Sequence, residues 1–301
     1  MPDLHPKISL VICTYNREKF LGNALHSLTQ QTLPPEQFEI IIVNNNATDR
    51  TEEISLHFIQ ANPKLNVRYF VERNQGLSYA RNKGIQEAHS DIITYIDDDA
   101  EAQNDFLEQI LNFLEQRPDA AGVGGKIVPK YEGIPPKWMN RYLYGFVTKV
   151  DLGSQIKAYR GKNYPAGCNM TYRRQLLQSV GGFNENLKWR ADDKYIYYAI
   201  KPLAKPIYYL PHAIVLHNID DYRTTDENFI QLSKKFGSEE SIRMKSLGAW
   251  PSFKKKLEFV FKLAASLLIG LGFALKGEWI KGKYTIRYRY FALIGLLSKN
   301  Q

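Results

Sequence analysis

Cysteine is scarce: Cys13 and Cys168 are the only two in 301 residues. One pair cannot build a disulfide framework, so a reducing compartment is the expected setting. The opening residues, MPDLHPK, carry no apolar signal segment. Glycine is missing from the turn after the first apolar run, which reads Thr14-Tyr15-Asn16-Arg17. That absence argues against a nicotinamide dehydrogenase, whose phosphate turn requires G-x-G-x-x-G. It also argues against a sugar-phosphate nucleotidyltransferase, which opens on a glycine-rich, basic loop. Gly122, Gly124 and Gly125 are closely spaced but fall inside a later strand-like run. Nothing suggests disorder, because 44% of residues are hydrophobic and only 24% charged.

Acids nearly vanish from the C-terminal stretch. Residues 251–301 hold two, Glu258 and Glu278, against ten Lys and Arg. The preceding 250 residues carry 30 basic and 29 acidic side chains, so the basic character belongs to the tail. Within that tail, residues 263–275 form an uncharged run of 13 between Lys262 and Lys276. A membrane-spanning helix needs roughly 20 apolar residues. The pattern predicts an interfacial or re-entrant helix on an anionic membrane surface. Lysines flanking an apolar block suit lipid better than a phosphate backbone, so no nucleic-acid partner is expected.

What is present reads as strand and helix in alternation. Strands are expected at 8–13, 39–43, 67–71, 92–96 and 121–128, and helices at 20–30, 48–59, 77–88 and 106–114. Such alternation implies βαβ units, hence an α/β fold with a doubly wound, mixed and mainly parallel sheet. Residues 130–165, rich in Pro, Gly and aromatics, read as a long, partly helical loop region. A strand at 167–172 and helices at 173–180 and 193–203 follow. Two short strands at 207–210 and 214–217 come next, then a helix opened by Thr224-x-x-Glu227 as a capping box. The expected organisation is a catalytic domain over 1–250, in halves 1–130 and 131–250, with a helical extension at 251–301.

Ligands of such sheets collect beyond the carboxyl ends of the strands. Three polar turns lie there: Thr14-Tyr15-Asn16-Arg17, Asn44-Asn45-Asn46-Ala47-Thr48-Asp49 and Asp97-Asp98-Asp99. Three consecutive carboxylates disfavour one another's ionisation, and a divalent cation relieves that conflict. Oxygen ligands suit Mg²⁺ or Mn²⁺. The alternative is a solvated acidic turn.

Five blocks then make a specific resemblance. ISLVICTYNR and EIIIVNNNATDRT, then NQGLSYARNKGIQEA with DIITYIDDDA, then PAGCNMTYRRQLLQSVGGF, then Ala191-Asp192-Asp193, and last PHAIVLH appear in order. Together they resemble glycosyltransferase family 2, over roughly residues 7–220. The resemblance implies the GT-A, Rossmann-like fold and an inverting transferase using a nucleoside-diphosphate sugar, UDP favoured. By the same resemblance Thr14, Tyr15 and Asn45 line the nucleobase pocket. Asn16, Arg17, Asn44, Arg81, Asp97, Asp98 and Gly167 belong to the donor side, Asp98 near the ribose. Asp99 is the metal carboxylate, with Mn²⁺ or Mg²⁺ as cofactor, and His217 a second metal ligand. Asp193 is the general base, with Asp192 as runner-up. Trp138 and Trp189 are candidate sugar platforms or core residues.

The sequence departs from the family at Asn44, usually Asp, and at Asp192, usually Glu. Tyr195 stands where an acid is common. The acceptor expected is a saccharide or lipid-linked hydroxyl in surface polysaccharide or glycolipid synthesis. The expected location is cytoplasmic, peripheral at the inner face of the membrane. The rival of a different class is an inactive, transferase-like scaffold. Its mark would be a missing metal acid or base, and both are present.

Overall fold

The structure is a computed structural model that describes residues 5–187, 192–203, 205–245 and 247–298. Two compact units emerge: residues 1–129 with 150–218, and residues 130–149 with 219–301.

The first unit opens β1 (Ile8–Thr14), α1 (Glu18–Leu28), β2 (Phe38–Asn44), α2 (Thr51–Ala61), β3 (Val67–Val71), α3 (Leu77–Glu87) and β4 (Ile92–Asp97). β5 (Ala100–Ala102), α4 (Phe106–Gln116), β6 (Gly122–Tyr131), β7 (Lys157–Ala158), β8 (Met170–Arg173), α5 (Arg174–Ser179), α6 (Asp192–Ile200) and β9 (Ile207–Ile219) follow. The sheet order is β3-β2-β1-β4-β8-β6-β9-β5, with β7 also on β9. β3, β2, β1 and β4 are parallel, and β8 runs antiparallel to β4. The expected mixed, mainly parallel sheet is therefore found.

β1, β2 and β4 are apolar runs rich in β-branched residues and buried on both faces, as covered parallel strands require. Leu10, Ile12, Ile40 and Ile42 meet Leu21 and Leu25 of α1 and Phe106 and Ile110 of α4. Val11, Ile41 and Ile93 face the other way, toward Ala80 and Ile85 of α3 and Ile196 and Ile200 of α6. Gly125 is needed because β9 lies close: a Cβ there would fall 1.9 Å from the Ala213 carbonyl oxygen.

At the amino ends of the strands Glu39 is fully buried. It accepts from Ser9 Oγ at 2.6 Å, Arg68 Nη2 at 2.6 Å and the His89 backbone N–H at 2.7 Å. Arg68→Met strips the guanidinium from a buried carboxylate, a loss worth about 3–5 kcal/mol. Urea unfolding should show a decrease of that size. An unfolding free energy within about 0.5 kcal/mol of wild type, the range of an ordinary surface change, would mean that the pair contributes nothing.

Two sequence expectations differ from the structure here. The two short strands near residue 210 are one 13-residue strand, β9. Pro211 is tolerated because β7 pairs at 208–209 and β5 at 215–217, leaving the proline between them. β5 was not expected at all, being only three residues long.

The second unit holds α7 (Asp226–Lys245), α8 (Ala249–Ala274) and α9 (Trp279–Leu297). Its core is aromatic, with Trp138 stacked on Tyr284 at 5.2 Å and Phe146 on Phe229 at 4.6 Å. Trp138 is thus a buried packing residue and not a sugar platform. α7 starts one residue later than the expected capping box places it, and Thr225 Oγ1 accepts the Asn228 N–H instead.

α8 is the larger departure. It runs 26 residues, about twice the uncharged run read from the sequence. Its inner charges are paired: Glu258 with Lys262 and Lys255, and Lys255 with Glu240 of α7. Every exposed residue between 257 and 275 is apolar, including Phe261, Leu268 and Leu271. By length and composition alone this helix is long and apolar enough to cross a membrane.

Candidate active site

The site is built where β1, β2 and β4 end. Their registers put Thr14 beside Asn44 and Cys13 beside Asp97, so the three polar turns leave the sheet at one level. The turns after β1 and β2 are stitched together. Asn16, at φ 52°, accepts the Thr48 N–H at 2.8 Å. Asp49 accepts the Glu18 N–H at 2.9 Å, and Glu18 accepts the Arg50 N–H at 2.9 Å. Asn tolerates this left-handed backbone better than most residues.

Asn44 and Asn45 are occupied in the same way. Asn44 Nδ2 donates to Tyr69 Oη at 2.8 Å, and its Oδ1 accepts the Ala47 N–H at 2.7 Å. Asn45 Nδ2 donates to the Glu72 and Asn74 carbonyls, while its Oδ1 accepts the Gly76 N–H at 2.8 Å. Both amides are buried and tie these turns to the loop at 72–76 and to Tyr69. Thr14 is buried too, whereas Tyr15 and Arg17 are partly exposed.

Asp97 ends β4, Asp98 and Asp99 form the turn, and β5 begins at once. β5 pairs with β9 so that Ala100 faces His217. This register brings His217 Nε2 to 3.1 Å from Asp99 Oδ1, with both side chains buried. The Asn218 N–H donates to the Asp99 carbonyl at 2.8 Å and steadies the turn. Arg17 Nη2 approaches Asp99 Oδ2 at 3.5 Å. Burial, then the charge of Asp99, pushes the Asp98 carboxyl up to about 8 against Arg17 and the Thr14 hydroxyl. Burial raises Asp97 as well, against the pull of Arg81.

That surplus of carboxylate is the condition a cation relieves. Among the described residues no three His, Cys, Asp or Glu side chains form a ready-made cage. Asp99 and His217 offer one hard oxygen and one imidazole nitrogen. Mg²⁺-type sites take one or two protein ligands and complete their shell with water and substrate phosphate. The donor set fits such an ion.

The acidic pair starts α6 and faces the same turn. Arg81 of α3 is 3% exposed and bonds Asp192 Oδ2 through Nη1, with Asp97 Oδ1 3.3 Å from its Nη2. Burial works against this guanidinium, but Asp192 and Asp97 outweigh it and hold its pKa above the usual value. Asp192 is therefore buried and paired. Asp193 is partly exposed, and its oxygens accept the Lys194 N–H at 2.6 Å and the Gly167 N–H at 3.1 Å. Burial and then Asp192 push its carboxyl up to about 6, opposed by Arg81 and the two N–H groups. A Cβ at Gly167 would stand 2.5 Å from Arg81 Nη2, so a larger residue there would displace the guanidinium.

Unit 1 thus gathers the sequence-derived candidates, but two have tasks other than those expected. Arg81 meets carboxylates, not an open nucleotide pocket. Asn45 spends its amide on the loop at 72–76. Sequence reading missed Asn218, for which adjacency to His217 was the only signal. Trp189 and Ala191 lie outside the described residues.

The family model of glycosyl transferase family 2 matches residues 9–181, more than half of the chain. The chain belongs to this family. It is a glycosyltransferase, and its relatives include enzymes acting on dolichyl phosphate-linked sugars. One relative, the glucosyl-dolichyl phosphate glucuronosyltransferase of Haloferax volcanii, is 29% identical over 230 residues, 72% of this chain and 71% of that protein. Other curated glycosyltransferases match over less of their length, 32% for the putative glycosyltransferase EpsH of Bacillus subtilis. Among solved structures, the mannosyltransferase PcManGT of Pyrobaculum calidifontis, in complex with GDP-Man and Mn²⁺, aligns with a TM-score of 0.65 at 16% identity. That alignment covers 99% of this chain and 89% of that one. S. aureus TarS 1–349 in complex with UDP aligns at 0.57 and 19% identity, covering 94% and 91%. Identities this low show the fold alone, and the fold is GT-A.

Proposed function

We propose that this glycosyltransferase moves a sugar from a nucleoside diphosphate, UDP by preference, to a hydroxyl of a lipid-linked or polysaccharide acceptor with inversion. One observation carries the reading: Arg81 touches both Asp97 of the donor-side turn and Asp192 of the acidic pair. The two acidic sites that the chemistry needs are therefore neighbours. The dolichyl-phosphate relative and the UDP-bound fold neighbour support the acceptor and donor classes.

In the displacement, the acceptor oxygen bonds to the anomeric carbon as the bond from that carbon to the diphosphate oxygen breaks. The hydroxyl proton goes to Asp193, which is reachable where Asp192 is locked. A carboxyl near 6 is ionised at neutral pH yet basic enough to accept it. Arg17, beside Asp99, is placed to meet diphosphate oxygens. Asp99 and His217 would hold Mn²⁺ or Mg²⁺, which when bound offsets charge on the leaving diphosphate. Incubating the protein with labelled UDP-, GDP- and dTDP-sugars and polyprenyl-phosphate-linked acceptors tests the reading. No transfer from any nucleotide, with Mn²⁺ present, would refute it.

The C-terminal helices support a place at the cytoplasmic face of an anionic membrane. The apolar face from Leu257 to Leu275 is about 28 Å long by helical rise. Exposed Lys254, Lys256, Lys276 and Lys283 stand toward its ends. The protein should pellet with vesicles containing phosphatidylglycerol and less with phosphatidylcholine alone. Phe261→Glu with Leu268→Glu should weaken the partition at least ~100-fold, from two large side chains at roughly 1.5–3 kcal/mol each. Equal pelleting of wild type and variant would remove this face from lipid.

A further inference from the structure

We propose that Arg81 is a positioning residue: by bridging Asp97 and Asp192 it clamps the acidic pair to the donor-side turn and presents Asp193 to the acceptor. The inference rests on Asp193 being the base.

The guanidinium has no open face for a nucleotide. Its two ends are taken by Asp192 and Asp97, and it lies within 5.6 Å of the Phe183 ring centre and 6.0 Å of that of Tyr95. Tyr95 Oη donates to the Arg81 carbonyl at 3.3 Å and fixes the turn of α3 that carries it. The same guanidinium presses on Gly167, whose N–H grips Asp193 at 3.1 Å. Arg81 thus reaches the base by two routes, through Asp192 next to it in the chain and through Gly167.

The other titratable groups around the pair are few. Asp192 and Arg81 act on Asp193, and Tyr172 faces it. Asp97 and Cys13 face Arg81. A planar fork spans two carboxylates in one plane, which an ammonium cannot do.

The test uses the full chain with Arg81→Lys, Arg81→Met and the double variant Arg81→Met/Asp192→Asn. Three quantities are read. They are affinity for whichever of UDP, GDP or dTDP binds wild type, the Asp193 carboxyl titration by carbon-13 NMR, and transfer kcat. Arg81→Lys should keep nucleotide affinity within about threefold and lower kcat roughly 10–100-fold, the cost of a misplaced base. In Arg81→Met, Asp193 loses a cation and keeps Asp192 beside it, so its titration should move upward by about one unit. If that variant folds poorly, the double variant should recover folding, because it removes both buried charges. Its Asp193 titration should return toward wild type while kcat stays low.

Nucleotide affinity falling as far as kcat in Arg81→Lys would make Arg81 a donor contact and overturn the proposal. Wild-type kcat in the double variant would do the same. Failure of the underlying base assignment looks different: transfer persists in Asp193→Asn.

Discussion

Asp193→Asn should abolish measurable transfer while nucleotide affinity stays within about threefold. A positioned general base contributes roughly 10²–10⁴ in rate. The amide keeps the shape and one acceptor oxygen, so one of the Gly167 and Lys194 N–H groups keeps its bond and the other loses its acceptor. Donor affinity is spared because, Arg81 and Gly167 apart, the groups assigned to the donor lie at or just beyond the ends of β1, β2 and β4. The pH dependence follows with its sign. Asp193 works only when ionised, and its carboxyl sits at about 6. The rate should be level above that value and fall about tenfold per unit below it. Equal losses of rate and donor affinity would identify the wrong base.

Asp99→Asn should remove the Mn²⁺-dependent part of nucleotide binding, at least ~100-fold, as expected for truncating one partner of a buried charge pair. Calorimetry with UDP in the presence and absence of Mn²⁺ reads this directly. His217→Ala should weaken the same increment less, because a water can replace a neutral imidazole nitrogen but not a charge. Metal dependence unchanged in Asp99→Asn would take this carboxylate off the ligand set. The two variants separate leaving-group chemistry from proton removal, since Asp99 lies in the turn after β4 and Asp193 in the first turn of α6.

Much of this site was legible beforehand because its signals are local. Apolar runs such as EIIIV end in polar turns, and three aspartates after one of them stand out in any reading. What was illegible depends on contacts distant in sequence. Arg81 and Asp192 are 111 residues apart, and no motif links them. His217 reaches Asp99 only through the pairing of a three-residue strand too short to announce itself. The resemblance ranked Asp193 ahead of Asp192, but that Asp192 is buried against Arg81 while Asp193 is partly exposed could not be read from two adjacent identical residues. Asn45 resembled a base-reading residue until its amide was found bound to backbone.

The C-terminal helices teach the same point from the opposite side. Counting charges along the chain stopped the apolar segment at Lys262, because a linear count treats every lysine as facing solvent. In three dimensions Glu258 and Lys262 sit one turn apart and pair, so the outer face stays apolar beyond them.

The sequence by itself determined the alternation of strands and helices through β4 and the sheet end at which the acids gather. These follow from side-chain period and residue type, which are properties of short segments, whereas the reaction class came from the resemblance to glycosyltransferase family 2. Only the tertiary structure decided which carboxylate is neutralised, which amide is spent on the fold and which face of α8 lacks a partner. Those outcomes depend on burial and on the nearest opposite charge, and neither exists until the chain has folded.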